Sequence, residues 1–136
     1  MNTLTLYRPV GIKELELIAG LQWKGFPPRL EWQPIFYPVL NQPYAEQIAL
    51  QWNTEDEFSG YCGIVTAFDM DAAYIKGRYE IQNVGSGMHN ELWVPAEELT
   101  DFNSNIIGEI RVVNAFFGER FTMPTDSLVG DVLLEF

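Results

Sequence analysis

With 136 residues, 47% of them apolar and 14% aromatic, the chain spans one domain, residues 1–136, able to bury roughly two-thirds of its unfolded surface. A net charge of −11 argues against nucleic acid as a general partner, because phosphate binding needs clustered Lys and Arg. The single cysteine, Cys62, excludes an internal disulfide and fits a reducing cytoplasm, and the longest uncharged run, the 14 residues from Trp32 to Ala45, holds three prolines and is too short and broken to span a bilayer.

Thr3-Leu4-Thr5-Leu6-Tyr7 alternates polar and apolar side chains and predicts a first strand, ending at Arg8-Pro9. No basic leader region precedes it, so the N-terminus reads as a strand rather than a signal peptide. Ile12 to Ala19 predicts a short helix with Ile12, Leu15 and Ile18 or Ala19 inward and Gly20 as its stop. Between residues 21 and 43, Pro27, Pro28, Pro34, Pro38 and Pro43 alternate with Trp23, Phe26, Trp32, Phe36 and Tyr37. That proline density predicts an irregular segment, suited to one wall of a ligand cleft or to a packed structural loop.

Pro43 opens a predicted helix through Trp52, with Tyr44, Ile48 and Trp52 as its core stripe and Ala45 and Ala49 beside it. An acidic turn at Glu55-Asp56-Glu57 precedes Tyr61 to Phe68, a nearly uncharged run suited to a central strand. Asp69 to Ile75 reads as a turn or one helical turn. Arg78 to Val84 alternates as a further strand with Tyr79 and Ile81 inward, and Gly85-Ser86-Gly87 as the turn after it. Next comes a short apolar strand, Asn90 to Val94, carrying Glu91 near its start. Pro95 starts a helix with Leu99, Phe102 and Ile106 buried, Ile107 to Phe117 is a long β-rich run, and Val132-Leu133-Leu134 forms a last edge strand. Helices and strands mixed without regular alternation predict an α+β fold around a mostly antiparallel sheet.

One histidine and one cysteine are too few for the usual zinc sites, so no metal is assigned. There is no P-loop, no dinucleotide glycine motif and no nucleophile elbow. Charge is unevenly placed: residues 1–30 hold four basic and two acidic side chains, a net +2, and residues 31–136 four basic and 17 acidic, a net −13. The N-terminal cations could form a local anion site. The acidic remainder suits a non-catalytic binding or inhibitor protein that covers a basic partner. Glu91, beside Leu92, Trp93 and Val94, reads either as a cleft-facing carboxylate opposite Arg8 or as the solvent-facing member of an alternating strand.

Leu6-Tyr7-Arg8 at a strand end, Thr66 in a middle strand and Glu91 at the start of a late one form a layout that resembles the ADP-ribosyltransferase superfamily. More narrowly, the sequence from about Leu6 to Phe121 is similar to a group of small bacterial proteins labelled "ADP-ribosylation/crystallin". That likeness runs through Leu6-Tyr7-Arg8-Pro9-Val10-Gly11, Phe26-Pro27-Pro28-Arg29-Leu30, Ile35 to Asn41 and Glu91 to Leu99. It implies two half-sheets clamping NAD. Arg8 would hold phosphates with its planar fork, Thr66 would be the buttressing hydroxyl of the catalytic set, and Glu91 would stabilise the oxocarbenium-like charge as nicotinamide leaves. Tyr7, Tyr37 and His89 would complete the cofactor-contacting set. His89 stands where many such transferases have Gln or Glu, and the usual Ser-Thr-Ser is Val65-Thr66-Ala67 here. A transferase with an unknown acceptor, an NAD glycohydrolase and a non-catalytic nucleotide binder all fit this pattern.

Overall fold

The run from Cys62 to Phe68 is free of charge because it is covered on both faces: it is the buried part of strand β3 (Cys62–Asp71). It lies between two antiparallel neighbours, β1 (Thr3–Val10) and β7 (Ile106–Phe117), in the order β1-β3-β7. The computed structural model describes residues 2–85, 87–125 and 128–136, and Ser86 of the predicted glycine turn lies outside them. Its architecture is α+β, with antiparallel sheets and short helices. The remaining elements are α1 (Ile12–Gly20), β2 (Ile35–Phe36), α2 (Gln42–Gln51), α3 (Ala72–Lys76), β4 (Gln82–Asn83), β5 (Asn90–Glu91), β6 (Val94–Pro95), α4 (Leu99–Ser104) and α5 (Gly130–Leu133).

One face of the central sheet packs on an aromatic core. Phe26 lies 5.0 Å from Phe36 and 4.9 Å from Phe68, and Phe36 lies 5.5 Å from Phe102, ring centroid to ring centroid. The other face takes α2 through Ala45 and Ala49, which pack with Val39 and Val65. Asn41 caps α2 by accepting a hydrogen bond from the Tyr44 amide at 2.8 Å.

The proline-rich segment is not simply a loop. Its residues 34–40 run antiparallel to residues 90–96, pairing β2 with β6 and donating from Leu40 N to Asn90 O at 3.1 Å. Val39 also exchanges two backbone hydrogen bonds with Tyr7, at 2.8 and 2.9 Å. This single residue therefore joins β1 to β5, and so the central sheet to the β4-β5 ribbon.

Several expectations need correction. The fully buried face of α2 is Ala45 and Ala49; Tyr44 and Ile48 of the expected stripe are partly buried against the same cluster, and Trp52 is 61% exposed. The cause is Gly63 of β3, where even a methyl group would meet the Ala49 backbone, so only the smallest residues of α2 can face the sheet. The strand expected over 78–84 shrinks to β4, because the Arg78 and Tyr79 amides are used on the Ile75 carbonyl at the end of α3. Ile81 consequently faces solvent, while Tyr79 is partly buried against the core. The strand expected over 90–94 divides into β5 and β6, which pair with different partners. After Pro95, one 3₁₀ turn precedes α4, and Ile106 belongs to β7 rather than to the helix. Val132-Leu133-Leu134 is no edge strand: Val129 and Leu133, four apart, bury one face of the short helix α5.

Candidate functional site

Strand alternation sends Leu6 and Val10 of β1 into the aromatic core, and Arg8 shares their face at its rim. The Arg8 guanidinium lies 4.6 Å from the Phe36 ring centroid, a cation–π distance. It donates from Nε to Glu14 Oε2 at 2.7 Å and from Nη2 to Glu14 Oε1 at 3.0 Å. The turn at Gly11 makes this bidentate pair possible by delivering the first turn of α1 back onto the strand end. A side chain at Gly11 would collide with the Ser59 backbone.

Arg8 and Glu14 open onto a cleft of about 640 Å³, within the usual range of roughly 300–1,000 Å³ for small-molecule sites. One wall is the end of β1 with the first turn of α1, including Lys13. A second is Pro27-Pro28-Arg29-Leu30 with Tyr37 and Val39. Ile48 of α2 and Trp52 just after it, with the 56–59 turn, form the third, and Glu91 closes the cleft beside Val39. Arg8 and Glu91, 83 positions apart, thus line one cleft.

Glu91 is held in orientation by two donors. The Tyr44 hydroxyl donates to Oε2 at 2.9 Å and the Trp93 indole N–H to Oε1 at 2.8 Å. Each carboxylate oxygen keeps acceptor capacity for a ligand hydroxyl. Burial, then the hydrogen bond to Glu91, pushes the Tyr44 phenol up to about 12, so it remains a donor at neutral pH.

Arg29 differs from Arg8. Its Nε is buried without a hydrogen-bond partner, and its guanidinium lies 5.9 Å from the same Phe36 ring. Burial, followed by repulsion from Arg8, lowers its pKa, with Glu14 and Tyr37 opposing.

Of the residues assigned from sequence, Arg8, Tyr37 and Glu91 meet in the cleft, whereas Thr66, Tyr7 and His89 do not line it. Thr66 is fully buried opposite Arg8 in the β1-β3 register, and its hydroxyl donates to the Arg8 carbonyl at 2.7 Å. It positions the backbone under Arg8 and cannot touch a ligand. Tyr7 points to the α2 face of the sheet, as its place one residue before Arg8 requires. His89 stacks against Tyr44 at 4.7 Å with Nε2 3.0 Å from Gln47 Oε1, one layer behind Glu91. Sequence reasoning missed Glu14, Tyr44 and Trp93 as site residues and reached Arg29 only as one of the N-terminal cations of a possible anion site. The available signal was the clustering of cations in residues 1–30, of which Arg8, Lys13 and Arg29 all reach the cleft.

Among the described residues, no group of three or more His, Cys, Asp or Glu could hold a metal ion, and no helix is long and apolar enough to cross a membrane. No protein-family model, no curated protein and no solved structure matches the chain.

Proposed function

We propose that the cleft binds NAD and that Glu91 promotes scission of its nicotinamide–ribose bond, with the ADP-ribosyl group passing to water or to an acceptor outside this chain. The observation that carries this reading is the common cleft of Arg8 and Glu91, with Glu91 fixed by Tyr44 and Trp93. Glu91 accepts from the ribose hydroxyls and places its fixed negative charge against the positive charge that develops on the sugar. Such preorganised stabilisation is worth most in a site shielded from water. The C–N bonding pair leaves with nicotinamide, which departs neutral, and an attacking water loses its proton to solvent. Tyr37 and Trp52, 43% and 61% exposed on the cleft wall, supply flat apolar surface for the rings of the ligand.

Incubation with NAD, following nicotinamide release, tests this. Glu91→Gln is expected to lower the rate about a hundredfold, the scale seen when one preorganised group is lost. Undiminished release by a folded Glu91→Gln protein would exclude the assigned role.

A further inference from the structure

Among the described residues, Arg8, Arg78 and Arg111 each form an ion pair; Arg29 and Arg120 form none, and of these two only Arg29 has a buried N–H without a partner. The Glu14 carboxylate beside it has given both oxygens to Arg8. Two guanidinium groups share one aromatic ring, Phe36, and the carboxylates that line the cleft are engaged elsewhere, Glu14 with Arg8, Glu91 with Tyr44 and Trp93, and Asp56 with the Ser59 hydroxyl. Lys13 adds a third positive group on the same cleft. A partly buried cation with an unanswered N–H is costly unless something outside the chain completes it.

We infer that Arg29 is the primary anchor for a diphosphate group of the cleft ligand, and that Glu14 competes with that group for the fork of Arg8. The cluster selects diphosphate over a simple carboxylate. One carboxylate satisfies one fork, as Glu14 already does, whereas a diphosphate carries enough oxygens for two guanidinium groups and an ammonium at once. Glu14 thus acts as an internal stand-in for the ligand. The anion first engages Arg29, and full engagement of Arg8 requires Glu14 to swing away. The inference rests on the NAD reading only for the identity of the natural ligand, since the anchor itself requires no bond cleavage.

The test is titration of the full chain with inorganic pyrophosphate at fixed ionic strength, by calorimetry and by NMR of the arginine Nε–H signals. The wild-type protein is expected to bind saturably, with the Arg29 Nε–H signal moving. Arg29→Gln should weaken binding by about tenfold or more, the scale of a lost charged hydrogen bond. Arg29→Lys should recover only part of that loss, because it restores charge without the fork. Glu14→Gln should tighten binding several-fold, with the Arg8 Nε–H signal moving on titration only as Glu14 is displaced or removed. Absence of saturable binding in the wild type, or unchanged affinity in both Arg29→Gln and Glu14→Gln, would overturn the inference. Pyrophosphate binding without nicotinamide release would leave the Arg29 anchor standing and remove the cleavage chemistry. Nicotinamide release with a pyrophosphate affinity indifferent to Arg29 would do the reverse.

Discussion

Thr66→Val separates a chemical role for this hydroxyl from a positioning one. The hydroxyl has no solvent exposure and its one hydrogen bond, 2.7 Å to the Arg8 carbonyl, crosses from β3 to β1 at the strand position that carries the guanidinium. Valine fills nearly the same space but cannot donate. The loss is the net value of a buried hydrogen bond plus part of the desolvation of the carbonyl left behind, together about 1–3 kcal/mol. With a urea dependence of about 1–3 kcal/mol per molar, the unfolding midpoint should fall by roughly 1 M. Urea unfolding followed by tryptophan fluorescence measures this, and nicotinamide release on the same preparation at zero urea measures activity. A positioning role predicts lower stability with release reduced only a few-fold, through a small displacement of Arg8. Either an unchanged midpoint, or a hundredfold loss of release at full stability, would refute the reasoning.

Three further outcomes follow from the packing and from the titrating groups. Gly63→Ala places a methyl group 2.5 Å from the Ala49 carbonyl oxygen, and since both partners are backbone α2 must lift from the sheet. A stability loss of about 1–3 kcal/mol or more is expected in urea unfolding. Burial pushes the Cys62 thiol up to about 12, so it should be unreactive toward an aromatic disulfide reagent at pH 8 in the native protein and react fully in denaturant. The Tyr44 phenol is raised in the folded state from 10.0 to about 12, so its contribution to stability is complete below pH 10 and disappears as pH rises through about 12. Ultraviolet titration of wild type against Tyr44→Phe should show that late phenol, and Glu91→Gln should move it to lower pH.

How far the sequence reaches can be seen residue by residue. β3 and β7 are legible because long runs of strand-forming side chains have no other use in a chain of this size. The position of α2 is legible from Asn41 and Pro43, but its orientation is not. Apolar periodicity favours the largest side chains, whereas the contact surface is set by Gly63, a residue from another element. The opposite placement of Tyr7 and Arg8 follows from simple alternation and could have been read from sequence. His89 is different: a regular strand would place it beside Glu91, but a tight turn, with the Asn90 amide donating to the Met88 carbonyl at 2.8 Å, precedes β5, and the ring lies against Tyr44 and Gln47 instead. The grip of Glu14 on Arg8 spans a strand, a glycine corner and a helix start, and no periodic signal encodes it. Nothing local connects Arg8 and Glu91, so the sequence offers their pairing only as one of two readings of Glu91 and as what a family resemblance implies.

The Val39 junction gives the prolines a use that their reputation as breakers hides. If the segment slid by one residue toward its C-terminus along β1, Pro38, which has no amide hydrogen, would stand opposite Tyr7 and one of the two bonds now closed there would be lost. The same slip would turn Phe36 out of the aromatic core and take from Arg8 the ring on which it rests. Pro38 here acts as a detent against a slip in that direction, so the spacing between the cationic and anionic ends of the groove is written in part into a place where the backbone cannot donate.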